Sequence, residues 1–318
     1  MKLDFAPLEG ITGTAFRQLH HRYFPGVDRY YTPFLSPTKE HRLTPREQRE
    51  FSSAANSGMT VIPQILTRVP EDFLWAAREL TELGYETVNL NLGCPSGTVT
   101  AKGKGCGMLA HPDVLRYFLD RIFEAAPCPI SVKTRLGMED PAEFAPILEI
   151  YNDYPMTELI IHPRVRRDLY RHPVRPEAFE QALANSKNPV SYNGSINTPS
   201  DFAACRARYP GIHAVMIGQG LVSDPFLAER IRFGSGSDRK RLQDFHDELL
   251  QTYAAQFGSQ NNAAKRMKDV WFYLIRLFAD GERHGKRILK SKTWEEYRLA
   301  VDAVFRELPL LEQTAAGW

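Results

Sequence analysis

Residues 86–109 read ETVNLNLGCPSGTVTAKGKGCGML, and the other segments take their meaning from this one. Val88, Leu90 and Leu92 alternate with Asn89 and Asn91, the period-two signal of a strand. Gly93-Cys94-Pro95-Ser96 ends it. A cysteine just past the C-terminal end of a strand, with an asparagine on the strand itself, stands where parallel α/β enzymes carry their chemistry. Gly103, Gly105 and Gly107 then allow backbone to approach closely. A lone cysteine is as readily a buried structural residue, so the remainder of the chain has to arbitrate.

Short β-patterned runs alternate with helical ones on both sides of this segment. Strands are predicted at 3–7, 29–33, 60–66, 86–92, 129–135, 158–162, 189–193 and 213–218. Helices are predicted at 13–24, 70–84, 111–126, 141–152, 175–185, 199–209 and 224–233. Eight strands alternating with helical sequence meet the requirement of a (β/α)8 TIM barrel. An open doubly wound sheet shares that alternation, but no GxGxxG follows the first strand. After Gly234-Ser235-Gly236-Ser237-Asp238 the strand signals stop. Residues 239–257, 262–279 and 293–305 read as amphipathic helices, with spacings such as Val270, Tyr273, Leu274, Leu277. The expected architecture is an α/β barrel domain, 1–235, followed by a small C-terminal all-helical domain, 236–318.

The 318 residues are 43% hydrophobic and 25% charged with a formal net charge of +2, an ordinary globular composition. Any nucleic-acid site must therefore be a local patch and not a global field. Cys94, Cys106, Cys128 and Cys205 form no CxxC pair, which argues against a metal knuckle or a disulfide framework. MKLDFAPLEG at the start lacks the apolar run of a signal peptide, and no stretch reaches the ~20 apolar residues of a membrane span. These features predict a cytoplasmic protein with no membrane contact, no metal and a monomeric state.

In a barrel the informative residues lie where strands end. The first strand leads into Pro7, Leu8 and Glu9. The third carries Gln64, the fourth Asn91 and then Cys94, the fifth Lys133 and Arg135. The sixth ends at His162, with Arg164 beyond it. The seventh ends in Asn193-Gly194-Ser195 and the eighth in Gly218-Gln219-Gly220. Each has a plain structural reading: a lysine reaching solvent, a histidine bonded to backbone, a satisfied buried amide. Together they make a polar rim without the facing carboxylates of glycoside hydrolysis or the clustered ligands of a metal hydrolase. Such a rim suits a planar hydrogen-bonding ring with an anionic tail. The glycines after the last two strands, and the helix start at Asp224, are the expected phosphate site. Lys133 is a fixed cation where a reduced ring gathers negative charge.

These residues resemble the tRNA-dihydrouridine synthases, FMN-dependent enzymes that reduce uridine in RNA. The resemblance rests on APLEGITGTAFR, PQIL, VNLNLGCPSGTV, the glycine run, SVKTRLG, IIHPR with Tyr170 beyond it, YNGSI, MIGQG and, near the end, RMKDVWFYLIRLF. It implies that Pro7, Leu8 and Glu9 contact the flavin through backbone groups and that Gln64 bonds the isoalloxazine edge. It places Lys133 at the pyrimidine end of the ring with His162 nearby. It gives the ribityl phosphate to Asn193, Gly194, Ser195, Gly218 and Gln219. Asn91, Arg135 and Tyr170 would face the target uracil. NADPH would reduce FMN, hydride would pass to C6 of a uridine taken out of its stack, and Cys94 would protonate C5 as general acid. That last role needs the thiol, which predominates at neutral pH for an ordinary cysteine.

Three positions depart from the family pattern. Gln219 stands where arginine is usual, Cys106 sits in the glycine run as a rival thiol, and 162–176 (HPRVRRDLYRHPVRP) is unusually basic. Arginines 164, 166, 167, 171 and 175 and a second set, Lys265, Arg266, Lys268, Arg283, Lys286, Arg287, Lys290 and Lys292, are candidates to track an RNA backbone, tRNA foremost. Trp271, Tyr273 and Trp294 have the helical spacing of core residues. Two other readings share parts of this pattern: an FMN barrel oxidoreductase acting on a free pyrimidine or other small molecule, and a non-catalytic RNA-binding protein on a decayed barrel.

Overall fold

The computed structural model describes residues 1–314. The chain groups into two compact units, one of residues 1–7, 28–195 and 206–216, the other of residues 8–27, 196–205 and 217–318.

The first unit holds the sheet as far as Met216. Its strands are β1 (Lys2–Phe5), β2 (Arg29–Tyr31), β3 (Val61–Ile62), β4 (Gln64–Ile65), β5 (Val88–Leu92), β6 (Ile130–Arg135), β7 (Leu159–His162), β8 (Val190–Asn193) and β9 (Ala214–Ile217). They pair in parallel in the order β3-β2-β1-β9-β8-β7-β6-β5-β4. The two ends, β3 and β4, are halves of the run predicted at 60–66, separated by Pro63. Proline has no N–H for the ladder, so the strand breaks there. The Pro63 carbonyl still accepts from Asn89 N–H at 2.8 Å. One chain segment thus serves both ends of the sheet, and a TIM barrel results.

All five residues of β5 are buried, the asparagines included. A barrel strand has no wet face: one side meets helices and the other meets the interior. The polar residues of the alternation therefore point inward. The interior is layered. Lowest lie Asp4, Arg29, Glu158 and Ser191. Arg29 binds Asp4 (Nε to Oδ1, 2.8 Å) and Glu158 (Nη2 to Oε1, 2.9 Å). Glu158 also accepts from Tyr31 Oη at 3.0 Å and from Ser191 Oγ. Above them, Ala6, Tyr31, Ile160 and Met216 form an apolar layer with Ile62 against it. This layer separates the lower charges from the strand ends that carry the site.

Helices Pro70–Glu82, Pro112–Ala125 and Pro176–Asn185 each begin with proline in the first turn, where its missing N–H costs nothing. A further helix, Pro45–Phe51, carries a Thr44–Glu47 capping box and is absent from the sequence prediction.

The second unit is helical. Thr14–Tyr23 packs on Arg239–Phe257 through Phe16 and Phe245, ring centroids 5.7 Å apart, and Phe24 joins Phe245 and Phe226 at 5.1 and 4.9 Å. Gln260–Leu274 buries Trp271 completely, its Nε1 donating to Tyr297 Oη on Trp294–Glu307 at 3.0 Å. Glu282–Lys290 is one helix more than predicted. The helix expected at 224–233 is two: Gln219–Ser223 and Leu227–Phe233.

Candidate active site

Cys94 is anchored on both sides of its peptide. Asn91 Oδ1 accepts from the N–H groups of Gly93 (3.0 Å) and Cys94 (2.9 Å), turning the chain sharply after β5. The Cys94 carbonyl accepts from Cys106 N–H at 3.1 Å. Gly105 has φ +56°, and a Cβ there would lie 3.0 Å from both Cys94 Cβ and Cys94 O. Only glycine fits beside this thiol without displacing it.

The Asn91 amide ends a longer series. Its Nδ2 donates to Gln64 Oε1 (2.7 Å), Gln64 Nε2 donates to Asn89 Oδ1 (2.8 Å), and Asn89 Nδ2 donates to Ser131 Oγ (2.8 Å). Ser131 Oγ donates to Val88 O at 3.3 Å. Three neighbouring strands are thereby stitched together by side chains whose orientations fix one another. Asn89 and Ser131, not among the candidate site residues read from the sequence, are members of this series. The inward parity they share with Asn91 and Lys133 is the signal that could have found them.

Lys133 lies on β6 opposite Asn91 of β5. Among the described residues its Nζ has no hydrogen-bond or ion-pair partner. Burial first, and the Arg135 cation second, pull its pKa from the usual 10.5 to about 7, with Cys94 opposing. A partly unoccupied cation at neutral pH costs folding energy. Lys133→Met is therefore expected to make the flavin-free chain more stable at pH 7 by roughly 1–3 kcal/mol. The advantage should shrink as pH rises from 7 toward 10.5, because the lysine of the unfolded chain then also loses its proton and the penalty lifts. Urea denaturation at pH 7 and 10 measures it, and a less stable variant at pH 7 would refute the burden assigned to this cation.

Arg135 is 1% exposed. Its Nε donates to Gly93 O (3.0 Å), and its Nη1 donates to Val165 O (3.1 Å) and Leu169 O (3.0 Å). It braces the loop carrying Cys94 and the loop after β7, and lies 5.2 Å from the Tyr170 ring centroid. Tyr170 is 51% exposed, with its ring 5.8 Å from His162. Leu169 before it holds φ +50°, an uncommon backbone state for leucine.

His162 is buried. Burial and the cations Arg135, Lys133 and Arg164 hold its pKa well below the usual value, so it is neutral. Arg164 Nη1 lies 2.8 Å from His162 Nε2. A guanidinium only donates, so Nε2 accepts and the ring proton resides on Nδ1. Arg164 also donates to Ser195 Oγ (2.8 Å) and His172 O (2.6 Å). Asn193 Nδ2 donates to Met216 O at 2.8 Å. Gly194 and Ser195 follow at the end of β8. Cys94, Lys133, His162, Arg164 and Asn193 thus occupy the ends of four successive strands, β5 to β8.

In the second unit Leu8 spends its own backbone on a turn: its N–H donates to Thr12 Oγ1 at 2.8 Å, and its carbonyl accepts from Ile11 and Thr12 N–H at 3.0 Å each. Glu9 is exposed, while Pro7, which closes the first segment of the first unit, is half-buried. Gly218 caps the short helix containing Gln219, and Gly220 must be glycine because a Cβ would sit 2.2 Å from Ile196 O. Asp224 does not open an anion site. Its buried carboxylate accepts from Phe226 N–H (3.0 Å) and pairs with Arg230 (3.1 Å), so it occupies the N–H at this helix start itself.

Cys106 is the less accessible of the two thiols. It is fully buried, its Sγ donates to Gly137 O at 3.4 Å, and burial pushes its pKa to about 12. The basic loop is less free than its sequence suggests. Arg164 is 6% exposed, Arg175 is ion-paired to Asp168, and Arg167 lies 3.7 Å from Glu139. In the helical unit Lys268 is tied to Ser291 O and Arg266 to Gly10 O. Lys265, Arg283, Lys286, Arg287, Lys290 and Lys292 are exposed. Phe272, unremarked in the sequence, is 49% exposed beside them in the chain.

Among the described residues, no group of three or more His, Cys, Asp or Glu side chains is placed to hold a metal ion. Within the same residues no helix is long and apolar enough to cross a membrane.

A parallel barrel with an anchored cysteine, an unpaired lysine and a neutral histidine at successive strand ends defines an oxidoreductase-type site. The chain matches the family described as Dihydrouridine synthase (Dus) over residues 4–315 and belongs to that family. It is 31% identical over 238 residues to a tRNA-dihydrouridine(16) synthase of Ralstonia nicotianae, covering 73% of this chain and 72% of the relative. The tRNA-dihydrouridine(16) synthase of Escherichia coli is 31% identical over 243 residues, covering 73% and 76%. A tRNA-dihydrouridine synthase B of Shewanella oneidensis is 28% identical over 232 residues, covering 73% and 71%. Among solved structures, morphinone reductase superposes with a TM-score of 0.53 at 14% identity over 74% of this chain and 87% of that one, a shared fold.

Proposed function

We propose that this protein reduces uridine to 5,6-dihydrouridine in tRNA, with FMN as its bound cofactor and NADPH as reductant, acting as a cytoplasmic monomer. The observation carrying this reading is the set of buried cations at the strand ends. Lys133, Arg135 and Arg164 surround a neutral His162, and none has a carboxylate partner among the described residues. Buried charges without counter-ions are expensive, so the site fits an anionic ring with an anionic tail. The relatives' names supply the substrate class, and position 16 is the first to inspect.

When bound, FMN supplies a hydride to C6 of the pyrimidine. The chain's own residues do the rest. Lys133, His162 and Gln64 orient the ring, with Pro7, Leu8 and Glu9 alongside. Asn193, Gly194, Ser195, Gly218 and Gln219 hold its tail. Asn91, Arg135 and Tyr170 receive the extruded uracil, Asn91 and Arg135 chiefly by holding the Cys94 turn. Cys94 Sγ–H gives its proton to C5 and must recover one from water before the next turnover.

Residues 236–318 are proposed as the RNA-engaging domain, with exposed Lys286, Arg287 and Lys290 on one helix. Changing these three to glutamate is expected to weaken tRNA binding by more than roughly 100-fold through lost phosphate contacts and added repulsion, with flavin still bound. Flavin loss alongside would mark the patch as structural instead. The overall test is mass spectrometry of RNA from cells lacking this protein, before and after treatment with purified enzyme and NADPH. Uridines two hydrogens heavier should appear only on treatment. Unchanged RNA, with a free pyrimidine reduced instead, would favour a small-molecule enzyme.

A further inference from the structure

The loops after β2, β4 and β5 carry a second set of cations, none of them among the site residues above. Leu35 bridges Ile65 of β4, and β4 pairs with β5, so these loops leave the sheet side by side. Lys104 is half-buried, and its Nζ donates to Ser36 Oγ at 3.2 Å, its only side-chain partner among the described residues. Arg68 is exposed and lies across Gly103, where a Cβ would fall 3.3 Å from Arg68 Nη1. Lys102 is exposed on the same turn. Neither Arg68 nor Lys102 has a hydrogen-bond or ion-pair partner among the described residues. Asp72 is the acid that acts on Lys104, but its carboxylate is committed to His41 Nε2 (2.9 Å) and Thr67 Oγ1 (3.2 Å). Burial pulls the Lys104 ammonium below the ordinary lysine pKa, and Lys102 and Arg68 add to the pull. This turn is also the one that braces the thiol. Lys104 N–H donates to Val99 O at 3.2 Å, Gly105 packs against Cys94 Cβ, and Cys106 N–H holds Cys94 O.

We infer that Lys104, with Arg68 and Lys102, seats an RNA backbone phosphate next to the extruded uridine and so positions that nucleotide at Cys94. The inference rests on the RNA reading above. Cations held close together repel one another until an anion joins them. Arginine offers a phosphate its planar fork, and lysine meets it as a point charge. A dinucleotide reductant also carries phosphates, but its hydride goes to the flavin in the half-reaction that does not use Cys94. A seat braced to the thiol belongs with the molecule that the thiol protonates. Taking a base out of its stack costs a few kcal/mol, and a phosphate gripped on the same turn as the acid offsets part of that cost where the chemistry occurs.

The test is single-turnover oxidation of the reduced enzyme by tRNA, followed by flavin absorbance at several tRNA and salt concentrations. Lys104→Met and Arg68→Met should each lose roughly 10-fold in tRNA affinity, the range for one charged hydrogen-bonding partner. Each should also flatten the log–log salt dependence by about one, while NADPH reduces the flavin as fast as in natural protein. Natural enzyme should lose a similar factor on tRNA with an uncharged methylphosphonate in place of one of the two phosphates flanking the reduced uridine. Lys104→Met should lose nothing more on that RNA, because the contact is already gone. Lys102→Met, at an exposed position, carries the test if the other variants do not fold. Natural tRNA affinity and salt slope in the variants would overturn the inference. So would losses that add in full at both flanking phosphates, because the cations would then grip the RNA elsewhere. Slowed flavin reduction by NADPH with tRNA affinity intact would give the cluster to the dinucleotide instead. Natural enzyme whose reduced flavin tRNA does not oxidise would sink the RNA reading itself.

Discussion

Cys94→Ala is expected to leave a protein that still binds flavin and accepts electrons from NADPH at the natural rate, yet reduces uridine roughly 100- to 10,000-fold more slowly, the usual worth of a positioned general acid. Hydride arrival at C6 leaves charge on C5 and the adjacent carbonyl, and that charge must be quenched within the same encounter. Local contacts hold this residue in place. Asn91 Oδ1 holds its N–H, Cys106 N–H holds its carbonyl, and Gly105 packs against its Cβ. The other thiol nearby, Cys106, is sealed away and held protonated by burial. Stopped-flow traces of flavin colour separate the two half-reactions. A variant slow in NADPH oxidation, or fully active on tRNA, would contradict the assignment.

Arg29→Met should lower unfolding free energy by roughly 3–5 kcal/mol at neutral pH, the cost of leaving buried charge without its partner. Arg29 is the cation shared by Asp4 and Glu158. Burial already raises Asp4 to about 7 against the pull of Arg29. A carboxyl raised in the folded state contributes stability below its unfolded pKa and loses it as pH climbs through the folded one. Without Arg29 that climb continues further, so the deficit should be greatest at pH 8 and fade toward pH 4. Urea titrations across this range test it. A deficit independent of pH would point to lost packing of the arginine stem.

The barrel was legible because its strands announce themselves twice, by alternation and by the chemistry at their ends. Observed strands fall within two residues of the predicted bounds, and only Pro63 divides one. The Pro45–Phe51 helix has its signal in Thr44-Pro45 and Glu47, a capping box too short to carry an apolar periodicity. Glu282–Lys290 was hidden by Gly285, which reads as a breaker. In the structure Gly281 and Gly285 are what let this helix approach Ile275, where a Cβ on Gly281 would lie 2.7 Å from the Ile275 carbonyl.

The site was readable as a roster of residues and unreadable as a set of contacts. Gln64 and Asn91 stood out, but nothing local said that they bond to each other, since that depends on the register of β4 against β5. Arg164 looked like one of five surface arginines. Its burial follows from the pairing of β7 with β8 and the placement of Ser195, both long-range facts. Asp224 misled because a predicted helix start says nothing about whether its own carboxylate already occupies the N–H there.

The amide series from Ser131 to Cys94 has a consequence for how this protein can drift. Every link points the same way, so exchanging one amide for an aliphatic strands a donor on one side and an acceptor on the other. Substitutions at positions 64, 89, 91 and 131 should therefore be tolerated only in concert. In a deep mutational scan these four sites should show strong epistasis with one another and little with the apolar layer beneath them.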